Sequence, residues 1–392
     1  MEEVVVIDTA RTAIGKYGGA FKTMSATDLS AGVMKALVKR NSLDIQAIDQ
    51  VIMGCTLQNG ENAYASRLAM LKAGLSETTT ALTVNRLCGS GLEAVNQAAQ
   101  LIMLGLADIC IAGGMESMST APYLSYGMRW GARINDVPMV DGMVAVLTDP
   151  TLHYHMAITA ETLAQKYGIS RQEQDEFAVW SHNKAVQAQS HGVFEKEIVP
   201  IEVLERKKNI LITQDEGPRA DTTVEFLATL TPAFKKDGSV TAGNSSSLND
   251  AAAAVILMSA KKAAELGFQA KARILSQAVA GVAPEVMGLG PVYAVPKALR
   301  PARLTLDDMD VIELNEAFAA QAIAVSRELQ IDCAKLNVNG GAIALGHPLG
   351  ASGAILFIKA IHELERTEKQ FGLVTLCIGG GQGIATVVER LN

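Results

Sequence analysis

Ile109-Cys110-Ile111-Ala112-Gly113-Gly114 and Leu376-Cys377-Ile378-Gly379-Gly380-Gly381 read as one phrase written twice. Each is a short apolar run, the pattern of a strand buried on both faces, that empties into glycines. The two stand 267 residues apart. Val51-Ile52-Met53-Gly54-Cys55 recurs as Val311-Ile312-Glu313-Leu314-Asn315 at an offset of 260, and Ser90-Gly91 recurs as Ser352-Gly353, each pair ahead of a helix, at 262. Similar offsets in the same chain order indicate two copies of one unit, and such a repeat bounds the architecture before any finer reading. On this alignment Cys110 is the counterpart of Cys377, and Cys55 that of Asn315. Residues 4–7, 109–112, 255–258 and 373–378 read as buried strands. Leu92, Val95, Ala99, Ile102 and Leu106 recur at helical spacing, as do Ala354, Ile358 and Ile361. Strands alternating with helices predict an α/β fold with parallel-type sheets covered by helices.

Residues 119–249 have no partner in the other half. The stretch is rich in turn formers (Pro122, Gly127, Gly131, Pro138) and then amphipathic around residues 160–188. A long insertion of this kind is usually functional or interfacial. The expected organisation is an N-terminal α/β half over 1–118, completed by about 250–268, a loop domain over 119–249, and a C-terminal α/β half over 269–392.

The chain has 392 residues, 49% hydrophobic and 19% charged, with a net charge of −7. That balance argues against nucleic-acid binding, which needs a surplus of Lys and Arg. There is no apolar stretch of about 18 residues to span a bilayer. Five cysteines without a CxxC pair fit a reducing compartment. The opening Met1-Glu2-Glu3 is unlike a secretory signal and the Leu391-Asn392 ending unlike a peroxisomal address, so a cytoplasmic location is expected.

Four residues stand in settings that make them chemically useful. Cys88, in Cys88-Gly89-Ser90-Gly91-Leu92, immediately precedes a helix, where free N–H groups and the macrodipole should lower a thiol pKa. An isolated cysteine is more often a small buried hydrophobe; here the glycines and the helix start favour chemistry, and the Cys88 N–H could help bind an oxyanion. Cys377 ends a strand ahead of the glycine-rich residues 379–383, and strand carboxyl ends are where α/β sheets place ligands. His347 lies between Gly346 and Pro348 in what reads as a rigid, exposed turn, able to act as base or oxyanion donor. Asn315, in Asn315-Glu316-Ala317-Phe318, either caps a helix starting near Glu316 or serves a site. His153 and His155 flank Tyr154 without a third ligand, so no metal is assigned. Two thiols, an imidazole and an amide are the inventory for acyl transfer through a thioester.

Those four motifs, in order and over essentially the whole chain, resemble the active-site motifs of the thiolase family, closest to its short-chain branch. The resemblance implies a duplicated, five-layered α-β-α-β-α fold with an inserted loop domain, assembled as a homotetramer. It implies reversible Claisen condensation of two acetyl-CoA to acetoacetyl-CoA and CoA, with coenzyme A thioesters as substrates and no permanently bound cofactor. Position by position, Cys88 matches the nucleophile that becomes acetylated, His347 the residue that activates it, and Cys377 the acid/base for the second substrate. Asn315 matches the holder of a water that, with His347, stabilises the enolate oxygen; the N–H groups of Cys88 and Gly379 match a second oxyanion hole. Arg219, Ser246, His155 and Met156 match coenzyme A contacts in the loop domain, and Leu147, Phe234, Met287 and Phe318 line the pantetheine and acyl pocket. Ser245-Ser246-Ser247, Ala251 and Gln382 depart from the commonest family pattern.

Rival readings make different demands. A cysteine hydrolase would need Cys88, His347 and Asn315 but not Cys377. A non-catalytic acyl-CoA-binding relative would have lost one of the four groups. A decarboxylating condensing enzyme pairs one cysteine with two histidines or with His and Asn. A longer-chain 3-ketoacyl-CoA thiolase would keep all four groups and differ only in the pocket. If both thiols reach one acyl carbon, their sulfurs should also be close enough for peroxide to link them, provided the Cβ geometry allows.

Overall fold

The repeated strands of the sequence build matching halves of one sheet. The protein is described here by a computed structural model covering residues 2–205 and 207–391. The first half supplies β1 (Val4–Arg11), β2 (Gln50–Gly54), β3 (Thr80–Val84), β4 (Ile109–Ser117) and β5 (Asn249–Ser259). The second supplies β6 (Ala272–Gly281), β7 (Val311–Leu314), β8 (Phe371–Ile378) and β9 (Gln382–Arg390). Their order is β7-β8-β9-β6-β1-β5-β4-β2-β3, with the short strand Gly15–Lys16 added on β5. Outward from the centre, β1-β5-β4-β2 is matched by β6-β9-β8-β7, and an isolated Ile312–Leu336 bridge stands where β3 would be. The halves meet through a short β1–β6 ladder, Val5 opposite Arg273 and Val6 opposite Ala272.

Two expectations are corrected by these ladders. The sheet is mixed rather than parallel. Only the β2–β3, β2–β4 and β7–β8 pairs run parallel. The β8–β9 connection explains why: Gly380 and Gly381, at φ +78° and +87°, make a turn too tight for a crossover, and a hairpin joins only antiparallel strands. The register also moves the counterpart of Cys377. Val51 lies opposite Ile111, and its repeat Val311 lies opposite Gly372. Gly372 therefore matches Ile111, and five residues further on Cys377 matches Glu116, not Cys110. That offset of 261 agrees with the other repeats, as one duplication requires.

Helices α1 (Ala26–Arg40), α2 (Ala65–Lys72) and α3 (Ser90–Met103) pack on the sheet, the insertion adds α4 (Ala157–Tyr167) and α5 (Arg171–Ser190), and α6 (Gly290–Ala302), α7 (Ala319–Leu329) and α8 (Leu349–Thr367) follow in the second half. Helix α3 stops before Leu106, and Ser90-Gly91 and Ser352-Gly353 fall inside their helices rather than ahead of them. Alternation along the strands sorts side chains to opposite faces. Val6, Ile52, Ala112 and Val374 join Leu92 and Val95 of α3 and Ile358 and Ile361 of α8 in a central core. Their neighbours Val5, Met53 and Ile111 face α1 and α2. Ile312, Leu373 and Val387 face α6 and α7. The central core encloses α3 and α8 on both sides and the other two lie beneath the outer helices, so the layers run α-β-α-β-α with α3 and α8 in the middle. Every residue of α8 from Leu349 to Leu364 is buried, as a helix apolar on all sides requires.

The insertion is tied to the first half by Arg11, which is fully buried and meets Glu197 at 2.8 Å and Asp215 at 2.7 Å. Removing one member of such a group leaves a charge without compensation, at a cost of about 3–5 kcal/mol. Among the described residues no helix is long and apolar enough to cross a membrane.

Helices α3 and α8 cross at their duplicated glycines. A Cβ on Gly91 would lie 2.8 Å from the Gly350 carbonyl oxygen and from the Ala354 nitrogen, and one on Gly353 would collide with the Leu92 backbone. Gly353→Ala must push the helices apart, and overpacking of this kind costs about 1–3 kcal/mol. Urea unfolding should show the corresponding drop in midpoint; an unchanged midpoint would mean the crossing is not tight.

Candidate active site

The loops that lead into α3 and α8 meet at one end of these helices and bring Cys88 and His347 together. Cys88 stands one residue ahead of Gly89, the N-cap of α3. The preceding Leu87 has φ +44°, a conformation that costs a non-glycine residue about 1–3 kcal/mol. Hydrogen bonds hold it there: Leu87 N–H donates to Asn85 Oδ1 (3.0 Å), while Ser90 Oγ accepts from Arg86 N–H (2.8 Å) and donates to Leu87 O (2.7 Å). The helix start does not make Cys88 acidic, contrary to the sequence expectation. Burial pushes its thiol up to about 11, and the opposing N–H groups of Gly379 and of Cys88 itself are weaker. Desolvation of a thiolate outweighs two partial charges. A base must therefore take the proton.

His347 lines the same cavity as Cys88 and is buried rather than exposed as its turn suggested, with 5% of its surface accessible. Gly346 (φ +114°) lets the chain enter against Asn249, whose side chain a Cβ would strike. Asn249 Oδ1 accepts from His347 N–H (2.9 Å) and its Nδ2 donates to Gly15 O (2.9 Å). The tautomer follows from Ser352. Its hydroxyl donates to Pro348 O at 2.9 Å, so at 2.6 Å it can only accept from His347 Nδ1–H. Nε2 then carries the lone pair and accepts from Asn315 Nδ2 at 3.3 Å. Burial lowers the imidazole to about 4, which keeps it neutral and able to accept a proton at physiological pH.

Asn315 follows β7, its N–H donating to Thr375 O (3.0 Å). It caps no helix, because α7 begins at Ala319 with Phe318 as N-cap. Its Oδ1 is buried without a protein partner among the described residues. Cys377, near the end of β8, is fully buried, and burial followed by the neighbouring Cys88 drives its pKa far up. Both cysteines are free thiols.

A cavity of 360 Å³ opens on Cys88, His347 and Gly379. Leu147, His155, Met156, Phe234, Ser246, Met287 and Phe318, all named from the sequence, line it. His155 stacks on Phe234 with ring centroids 4.6 Å apart, and its Nδ1 accepts from Ala157 N–H (3.1 Å), leaving Nε2–H as a donor. Cys88 packs beside Met118, Met143, Leu147 and Leu349, whereas Cys377 packs with Met156, Met287 and Phe318. Asn315 and Cys377 do not line the cavity; the first reaches it through His347 and the second through the cluster behind it. Arg219 lies outside it, in an adjoining cavity of 380 Å³ with Lys16 and Tyr17 that shares Ala242, Ser245, Ser247 and Leu248. An apolar tunnel thus leads from a basic mouth to a thiol and an imidazole.

Sequence reasoning missed the supports of this site. Ser352 served only as a repeat marker, and Asn249 went unnoticed. Glu116 was also missed: fully buried, it accepts from the N–H groups of Thr56 (3.1 Å), Leu57 (3.2 Å) and Gly350 (2.9 Å) and from the Thr56 hydroxyl. The only available signal was a carboxylate inside a continuous apolar strand.

A half-buried thiol at the cavity wall, a fully buried thiol behind it, a neutral buried histidine and an apolar cavity fit an enzyme that handles acyl thioesters. Comparison with known proteins agrees. The Thiolase, N-terminal domain family matches residues 4–261, and the Thiolase, C-terminal domain family matches residues 268–390. An acetyl-CoA acetyltransferase of Pseudomonas aeruginosa is 51% identical over 392 residues, covering 100% of both chains. The crystal structure of the Bacillus anthracis acetyl-CoA acetyltransferase superposes with a TM-score of 0.98 at 45% identity, covering 100% of this chain and 99% of that one. Human mitochondrial 3-ketoacyl-CoA thiolase in complex with CoA gives 0.96 at 43% identity, covering 100% and 98%. The chain belongs to the thiolase family.

The lowered pKa of His347 has a kinetic consequence. The imidazole loses its lone pair only when falling pH protonates it, so a reaction that uses it as base should hold level from pH 7 through 6 and decline near about 4. Stopped-flow release of CoA from acetyl-CoA across this range is the measurement. An acid limb centred on 6.5 would show a solvent-exposed imidazole instead.

Proposed function

We propose that the protein joins two acetyl-CoA molecules into acetoacetyl-CoA and CoA, or cleaves acetoacetyl-CoA in reverse, through an acetyl-Cys88 intermediate. The observation that carries this reading is a pair of neighbouring free thiols, one at the cavity wall and one buried behind it, with a buried neutral imidazole on the same cavity. A hydrolase would have no use for the second thiol. Acylation begins as His347 Nε2 takes the Cys88 proton and the thiolate attacks the thioester carbonyl, expelling CoA thiolate. The Cys377 thiol protonates that leaving group and becomes a thiolate. Such a thiolate would scarcely form by titration in so dry a place, but proton transfer inside the site generates it directly.

The second acetyl-CoA then loses a Cα proton to Cys377. Its enolate oxygen meets the Nε2–H of protonated His347 and a water held by the free Oδ1 of Asn315. Fixed donors of this type contribute roughly 3 kcal/mol each. The enolate carbon attacks acetyl-Cys88, whose carbonyl oxygen is received by the N–H groups of Cys88 and Gly379. Cys88 departs as thiolate and recovers its proton from His347, which closes the cycle with all protons returned.

Arg219, Ser246, His155 and Met156 are assigned to coenzyme A, with Leu147, Phe234, Met287 and Phe318 around the pantetheine arm and acyl group. The loop domain over 119–249 is assigned both to this binding and to a homotetramer. Exposed Tyr126, Trp130 and Ile134, at 77%, 93% and 84%, support an apolar assembly surface there. A cytoplasmic location fits the absence of a membrane-spanning helix among the described residues.

Bulky Leu147, Met287 and Phe318 close a cavity of 360 Å³ that pantetheine and acyl group must share. Each added methylene shifts discrimination by about 1–3 kcal/mol. Thiolysis of acetoacetyl-CoA should therefore exceed that of six-carbon and longer 3-ketoacyl-CoAs in kcat/KM. Equal values for four- and ten-carbon substrates would favour the longer-chain reading.

A further inference from the structure

A second concavity, of 510 Å³, shares no residue with the thiol cavity. It lies between the C-terminal half of α5 (Lys184, Gln187, His191), the following turn with Lys196, Lys271, Asn339, and the C-terminal half of α8 (Glu365, Arg366). We propose that it binds a small phosphate-bearing anion of the pyrophosphate or phosphomonoester class.

The charges decide this. Four cations line the cavity against one carboxylate. Lys271 is matched by Glu365, at 2.9 and 3.1 Å, and Arg366 by Glu363 behind the wall, at 2.9 and 2.6 Å. Lys184 and Lys196 have no carboxylate partner among the described residues. Lys184 is half-buried. Its Nζ donates to Leu336 O at 2.9 Å and sits 3.4 Å from the Trp180 ring centroid. Burial pushes it down to about 8 against the pull of the more distant Glu316 and Glu313, so it keeps its proton at neutral pH with no carboxylate in ion-pair contact. An anion in the cavity would offset that cost. In a chain of net charge −7, two cations without an ion-pair partner facing one concavity reverse the prevailing sign there, and concave walls focus the field. Gln187 and His191 add further polar groups to the lining. No Phe, Tyr or Trp lines the cavity, so nothing stacks on a base, and Ala188, Val193 and Val338 supply only a small apolar wall. Recognition is therefore of the phosphate and not of a nucleobase.

Isothermal titration of the full chain with inorganic pyrophosphate tests the proposal. Saturable binding is expected, with Lys184→Gln and Lys196→Gln each weakening it by about tenfold or more, as loss of a charge-assisted contact does. Lys196 is exposed, so its substitution keeps the test valid even if Lys184→Gln disturbs packing on Trp180. Lys35→Gln, on an exposed residue of α1, and Arg219→Gln should leave the affinity unchanged. Absence of binding, equal weakening by Lys35→Gln, or loss in Arg219→Gln with Lys196→Gln unaffected would overturn it. The last result would place the anion at the mouth of the thiol tunnel.

Discussion

The contact on which the site depends is the crossing of α3 and α8 at Gly91 and Gly353. Each helix carries a reactive group on the loop just before its first turn, Cys88 for α3 and His347 for α8. With a side chain at either glycine the helices would have to move apart, and thiol and imidazole would move with them. Both helices are enclosed by the two halves of the sheet, so their spacing is set by the whole central core rather than by local loops. Such rigidity suits a reaction in which protons pass between groups that must stay within hydrogen-bond reach.

Duplication supplied this scaffold, and divergence of the copies supplied the chemistry. The equivalent strand ends carry Glu116 in the first copy and Cys377 in the second. Glu116 receives the N–H of Gly350 in the first turn of α8, one of the hydrogen bonds that oppose the upward push of burial on its carboxyl. It thereby secures the helix that holds His347 in place. Its partner Cys55, 3.8 Å from Glu116 Oε1, is the counterpart of Asn315. One copy thus keeps a structural pair, Cys55 and Glu116, where the other has Asn315 and Cys377 beside the histidine. A buried carboxylate fixes the frame on one side; on the other a buried thiol and an unpartnered amide oxygen lie just behind the cavity wall.

Much of this was legible in the chain. The apolar runs became β1, β4, β5 and β8 because strands buried on both faces have no other composition available to them. Cys88, His347, Asn315 and Cys377 stood out because glycines and turn formers surround them. What stayed illegible depends on register and burial, which act at long range. Matching Cys377 to Cys110 followed similarity of letters, whereas ladder pairing with β2 and β7 moves the match to Glu116. His347 looked exposed because Gly and Pro flank it, yet packing against Asn249 and Ser352 buries it. The thiol pKa of Cys88 was misjudged for the same reason: the helix start is local, but desolvation comes from the whole pocket. Ser352 gave no signal, since a serine in a helix gains meaning only from the imidazole beside it.

The central claim is a division of labour, with Cys88 carrying the acyl group and Cys377 moving the Cα proton. Peptide mass spectrometry of the Cys377→Ser variant after incubation with acetyl-CoA, with condensation followed in the same sample, tests it most directly. The account requires an acetyl group on Cys88 together with almost complete loss of acetoacetyl-CoA formation. Acetyl on another residue, or near-normal condensation without Cys377, would contradict it.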